Sequence, residues 1–187
     1  MAGLLIVADQ LTKLAVRQSF ALGESVPVCG DFFRLTYIQN VAGAFGVWFG
    51  HPAVYYIASI IISLVIIHTI YRRPDLRSWS TWGLTLVLGG AIGNLIDRIA
   101  VGQVVDFLDF EFFDLDLPTF KFLFIHFRGY TMTRWPIFNL ADSSVFCGIW
   151  VLILSMWLDP RHKAEQTPQV LASGQIRESD NAADKSK

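Results

Sequence analysis

Residues 52–71 read PAVYYIASIIISLVIIHTIY, and the run closes on Arg72-Arg73-Pro74. A helix of 20 such residues rises about 30 Å, the thickness of a bilayer's hydrocarbon core. No Asp, Glu, Lys or Arg interrupts the run. This stretch decides the fold class: it predicts a transmembrane helix. The rest of the chain agrees with it. Hydrophobic residues make up 53% of the 187 positions and charged residues only 17%, whereas soluble domains carry about a quarter charged residues.

Working outward, three further stretches are candidates to cross the bilayer. The third in chain order covers about 81–97 and contains GLTLVLGGAIGNLI; the fourth covers about 136–158 and is closed by Asp159-Pro160-Arg161. The first covers about 2–20, where AGLLIVA is followed at once by Asp9 and Lys13. Only eight residues precede Asp9, which is about 12 Å of helix. With Asp9 at the far side of the bilayer, that helix is too short to begin in the near headgroups. Either the native start lies upstream of Met1, which is the favoured expectation, or the helix begins inside the bilayer. A cleaved secretory leader is not expected, because a basic n-region and a small-residue cleavage site are lacking.

Orientation follows from the basic residues. Arg72, Arg73 and Arg77 lie between the second and third spans, and Arg161, Lys163 and Lys185 follow the fourth. The positive-inside rule puts both regions, and with them both termini, in the cytoplasm. Segments 21–51 and 98–135 then lie outside, and 161–187 is expected to be a disordered cytoplasmic tail. Residues 32–39, FFRLTYIQ, read as a strand, and 107–128 alternate in part, with Leu117-Pro118-Thr119 as a hairpin tip. A small sheet at the outer membrane surface, with aromatic faces at the interface, is the expected result.

Other classes fit poorly. A net charge of −1 without a basic stripe predicts no nucleic-acid partner. Cys29 and Cys147 are far apart and read as packing residues, and His51, His68, His126 and His162 are scattered, so no metal is expected.

Ionisable residues in or beside spans are costly and usually functional. Asp9 and Lys13 stand four apart and share a helix face; so do Asn94 and Arg98. Asn139 and Asp142 stand three apart at the start of the fourth span, and Asp106 follows Val104-Val105 after the third. Topology brings Arg98, Asp106, Asn139 and Asp142 to the outer side. Two carboxylates converging there suggest a dyad sharing one proton, since both cannot ionise when close. One then takes a proton from water while the other donates to a carbonyl oxygen, which is aspartyl peptidase chemistry.

Plainer readings stand beside these. Asp9 and Lys13 would hold the first helix in place. Asn94 and Arg98 would be interhelical glue, worth about 1 kcal/mol, or would contact a substrate head group. Asp97 reads as an interfacial charge, and Asp109, Asp114 and Asp116 as solvated loop residues. Asp106 alone would be a helix-terminal charge, and Asp142 alone a partner for Arg98. Gly89, Gly90 and Gly93 would permit close helix packing. A four-helix transporter using Asp9, Asp97 or Asp142 as proton carriers, and a non-catalytic scaffold, are the rival classes. The long aromatic outside segments argue against the transporter, and a scaffold has no use for the paired carboxylates.

DQLTK at 9–13, GGAIGNLIDR at 89–98, VVDF at 104–107 and WPIFNLADS at 135–143, with NVAGAF at 40–45 as a partial match, occur together in this order. As a set they resemble the lipoprotein signal peptidases (signal peptidase II). The resemblance implies a membrane α-helical fold: a four-transmembrane-helix bundle with a small extracytoplasmic β-cradle. It implies a multi-pass protein of the bacterial inner membrane, with its site at the periplasmic face. It also implies cleavage of prolipoproteins before a diacylglyceryl-modified cysteine, without a cofactor. Asp106 and Asp142 would be the catalytic pair. Asn94, Arg98, Asn139 and Ala141 would shape the site and position substrate, Asp9 and Lys13 would support it, and Asn40 would lie beside it on the cradle. Substrate prolipoproteins and membrane lipid are the expected partners, and a monomer is the expected state.

Two departures from the family pattern stand out. In Asn40-Val41-Ala42-Gly43-Ala44-Phe45 the glycine is displaced by one position. Residues 107–141, 35 in number, separate the two aspartates, more than the family leads one to expect. The extra length falls near 108–134 and is read as an enlarged periplasmic lid or membrane-resting hairpin.

Overall fold

The computed structural model describes residues 1–41, 51–73, 78–112, 115–117, 120–122, 125–127 and 130–157. The expected tail at 161–187, residues 42–45 of the cradle motif and Asp114 lie outside the described residues. Four helices carry the architecture: α1 (Ala2–Ser19), α2 (Ala53–Arg72), α3 (Ser78–Val101) and α4 (Leu140–Trp157). α2, α3 and α4 are long and apolar enough to cross a membrane. α1, which contains Asp9, Lys13 and Arg17, is not among these three.

The helices are inside out relative to a soluble bundle. On α1 the exposed face is Leu4, Val7, Leu11 and Leu14, whereas Asp9 and Lys13 are buried. On α2 the outward residues include Ile57, Ile61, Leu64 and Val65, and on α4 Phe146, Ile149, Ile153 and Leu154. A helix in water turns its apolar stripe inward; a surface of this kind calls for lipid. Cys147 is also exposed, as is Cys29, so neither is the packing residue expected of it.

α3 and α4 meet through small residues. A Cβ on Gly148 would lie 2.8 Å from the Gly83 carbonyl oxygen, and one on Gly93 would lie 2.6 Å from Asp9 Oδ2. At Gly90 a Cβ would collide with the Ala141 carbonyl oxygen. These contacts bear out the reading of the GGAIG run as a packing surface.

The strands β1 (Ser25–Cys29), β2 (Phe33–Asn40) and β3 (Val104–Phe110) form an antiparallel sheet in the order β1-β2-β3. β1 sits at the edge, where Pro27 is tolerated because its missing N–H interrupts no inner ladder. β2 fulfils the strand expected at 32–39. Its register against β3 runs Asn40↔Val104 and Ile38↔Asp106, then shifts before Leu35↔Leu108. Two residues of β2 therefore face one of β3, which bends the sheet. Val16, Tyr37, Val105 and Phe107 form a small core between the sheet and the end of α1.

The other edge of β3 is taken by the strand-like approach to α4. Phe138 N donates to Leu108 O (3.1 Å), and Leu108 N to Phe138 O (2.8 Å). This pairing brings Asp106 beside the start of α4. The excursion between them holds β4 (Leu115–Leu117), β5 (Phe120–Phe122), β6 (Ile125–Phe127) and β7 (Tyr130–Met132). β4 pairs with β7 and β5 with β6, in one continuous register. Of the expected hairpin tip at Leu117-Pro118-Thr119, Leu117 pairs with Tyr130 in β4 and β7, and residues 118 and 119 lie outside the described residues.

Candidate active site

α4 begins at Leu140, not at Pro136, and its first turn builds much of the site. The first N–H groups of a helix have no partner within it. Here Asn139 Oδ1 accepts from Asp142 N (2.9 Å), and Asp142 Oδ2 accepts from Asn139 N (3.3 Å). This is a reciprocal capping box, and it explains the three-residue spacing. A third N–H, of Ala141, is taken by Asp9 Oδ1 from α1 (3.0 Å). Ala141 must be small, because it sits against Gly93 of α3.

The cap residue also reaches the sheet. Asn139 Nδ2 donates to Asp106 Oδ1 (2.7 Å) and to Asn94 Oδ1 (3.1 Å). Asn40 Nδ2 donates to Asp106 Oδ2 (2.9 Å), and Asn94 Nδ2 to Asp142 Oδ1 (2.8 Å). Each oxygen of both carboxylates thus accepts from a fixed donor. Asp106 is 1% exposed and Asn139 0%. Burial, and then the charge of Asp142, push the Asp106 carboxyl up to about 7, against the pull of the Asn40 and Asn139 hydrogen bonds.

Beneath the pair lies a charged junction. Lys13 Nζ reaches Asp9 Oδ2 (2.9 Å), Asp97 Oδ2 (2.9 Å) and Asn94 Oδ1 (3.0 Å), so all three of its protons are used. Asp97 Oδ2 accepts from Val105 N (3.1 Å), and Asp97 Oδ1 from Gln10 Nε2 (3.0 Å). Asp97 is therefore no interfacial charge, as the sequence reading had it: it is 2% exposed and ties α1 and α3 to β3 one residue before Asp106. The only sequence signal for this role was its spacing of three from Asn94. Asp109 is likewise not a solvated loop residue. It is buried in β3, accepting from Thr36 Oγ1 (2.6 Å) and Arg134 Nε (2.7 Å).

Both carboxylates open into one cavity of about 540 Å³. Asn40, Asn94 and Arg98 supply its polar lining; Phe112, Trp135, Val145, Phe146 and Ile149 supply apolar walls. The Arg98 guanidinium lies 5.5 Å from the Tyr55 ring centroid. Asp9, Lys13, Asn40, Asn94, Arg98, Asp106, Asn139, Ala141 and Asp142 thus fall in the cavity or in the hydrogen-bonded network behind it. Among the described residues, no cluster of three or more His, Cys, Asp or Glu is arranged to hold a metal ion. The arrangement presents two hydrogen-bonded carboxylates to one cavity, beside an apolar slot, a setting suited to acid–base chemistry.

The family model described as Signal peptidase (SPase) II matches residues 1–158. The lipoprotein signal peptidase of Halothermothrix orenii is 37% identical over 155 residues, covering 82% of this chain and 90% of that protein. That of Syntrophotalea carbinolica is 37% identical over 169 residues, covering 88% and 93%. Among solved structures, a bacterial membrane enzyme determined by the in meso method at 2.3 Å matches with a TM-score of 0.71 and 28% identity, covering 87% of this chain and 88% of that one.

Proposed function

The chain belongs to the signal peptidase II family, whose members remove signal peptides from prolipoproteins, and from that premise we propose that it cleaves the peptide bond before a diacylglyceryl-modified cysteine, with Asp106 and Asp142 as catalytic residues. The observation that carries this reading is the pairing itself: two carboxylates from separate elements share one cavity and are joined through Asn139 and Asn94.

In this mechanism Asp106 holds the shared proton and Asp142 is ionised. Asp142 takes a proton from water as the water oxygen attacks the scissile carbonyl carbon. Asp106 gives its proton to the carbonyl oxygen. The tetrahedral diol then collapses: Asp142 returns its proton to the leaving nitrogen, and Asp106 recovers one from the diol. Each carboxyl ends as it began. Arg98 and Asn40 contact the peptide backbone of the substrate, and the apolar wall of α4 receives the acyl chains. Binding energy from those chains holds the reacting bond in place.

α1 is the fourth membrane-crossing helix in this reading. Its outward leucines and valine support it, with its charges satisfied inside the bundle. The site opens at the periplasmic face of the inner membrane, both termini are cytoplasmic, and the protein works as a monomer.

The test is cleavage of a diacylglyceryl-modified prolipoprotein by purified enzyme in micelles. Asp106→Asn and Asp142→Asn should each lower kcat by about 10²–10⁴-fold while the protein still inserts and melts cooperatively. Near-wild-type turnover in either variant would remove the dyad. The pH profile carries a sign: with Asp106 raised to about 7 and needed as an acid, kcat should fall as pH rises through that value. A rate that climbs there would instead make Asp106 the base.

A further inference from the structure

The excursion between the two aspartates leaves the sheet at Phe112 and returns at Trp135, and both residues line the cavity. Their rings meet edge to face, with centroids 6.0 Å apart. Phe112 also stacks on Phe110 at 5.3 Å, and Phe110 in turn on Phe33 at 4.5 Å. Phe112 is 51% exposed, an apolar ring half open to the cavity mouth.

One side chain holds this pair of ends together. Arg134 Nε donates to Asp109 Oδ1 (2.7 Å), and its Nη1 donates to Asp31 O (3.0 Å) and to Glu111 Oε2. Trp135 N, next in the chain, donates to Phe110 O (2.9 Å). The fork of one guanidinium thus spans the β1–β2 turn, the end of β3 and the returning strand. The base of the excursion is fastened, and whatever the distal strands do, the rim at Phe112 and Trp135 is set by Arg134.

We propose that Arg134 is a positioning residue: it fixes Phe112 and Trp135 as a subsite for an apolar side chain of the substrate peptide next to the scissile bond. The inference rests on the peptidase reading above. The peptide is favoured over an acyl chain by position. Phe112 and Trp135 lie on the sheet side, two residues past β3 and four before the cap of α4, whereas Phe146 and Ile149 form the lower wall of the cavity, one and two helical turns into α4 from Asp142. Hydrocarbon that stays in the bilayer meets the lower wall first.

The test uses the full-length enzyme in micelles with lipopeptide substrates. Wild-type cleavage tests the peptidase reading; ratios of variant to wild type test Arg134. Arg134→Gln and Trp135→Ala should each raise KM about tenfold, the scale of one lost apolar contact, with kcat within twofold. The double variant should be no worse than Trp135→Ala alone, and Arg134→Lys, which keeps charge but loses the fork, should be intermediate. Should Arg134→Gln fail to insert, Trp135→Ala and Arg134→Lys carry the same test. Replacing the apolar residues before the modified cysteine by alanine should erase the difference between wild type and variants. If shortening the acyl chains erases it instead, the rim holds lipid and the assignment to peptide is wrong. A fall in kcat at constant KM, additive effects, or no change would overturn the role of Arg134.

Discussion

Two charge networks hold this molecule together, and they differ mainly in what surrounds them. In the junction of α1, α3 and β3, Lys13 serves Asp9 and Asp97 with no side-chain exposure above 2%. At the base of the excursion, Arg134 serves Asp109 and Glu111 while itself 27% exposed, with Glu111 at 44%. Distances are similar, yet the consequences are not. Water competes for the Arg134–Glu111 pair and salt screens it, so it contributes little on its own, while Asp109 stays buried under the same guanidinium. The inner charges are shut off from water, so removing Lys13 leaves Asp9 and Asp97 facing each other in a low dielectric. The inner network makes a fixed frame for the carboxylates; the outer one, open to water on one side, ties the rim of the cavity.

The sharpest attempt to break this contrast is Lys13→Met, which leaves Asp9 and Asp97 side by side without a cation. Stability should drop by about 3–5 kcal/mol, read as a thermal or denaturant melt in micelles. A loss below about 1 kcal/mol would mean that water reaches the junction and that the two networks are alike. Next in size is Gly90→Ala. The new methyl meets the Ala141 carbonyl, which is backbone and cannot swing away. α3 and α4 should part slightly, at a cost of about 1–3 kcal/mol, and kcat should fall because Asp142 rides on α4. Retained turnover would show that the frame tolerates slack. The smallest effect is expected for Glu111→Gln, at most about 1 kcal/mol and absent in high salt. A larger, salt-insensitive loss would place the Arg134 cluster in the same class as the junction.

The same contrast explains what the sequence could disclose. α2 was legible because nothing in 53–72 competes with an apolar helix. The strand at β2 was legible from its aromatic and β-branched content. Asp106, Asp142, Asn94 and Asn139 were legible because polar residues beside apolar runs are conspicuous and because their motifs occur in a known order. Asp97 was misread: its partners are Gln10, Lys13 and Val105, and only the crossing of α1 over α3 reveals them. Asp109 was misread because it lies in an acidic, aromatic stretch that looks like a loop until Thr36 and Arg134 are placed against it. β1 went unseen, being short and containing Pro27.

The bond from Ala141 N to Asp9 Oδ1 joins the last helix to the first. Of the residues in this network, Asp9 leaves the ribosome first and Asp142 last. A growing chain therefore carries Asp106 and half of its frame for some time without the partner carboxylate. Only when α4 inserts and its opening turn finds Asp9 is the second oxygen pair brought to its place. The order of synthesis thus makes the meeting of Asp106 and Asp142 a late event, one that waits on the contact between α4 and α1.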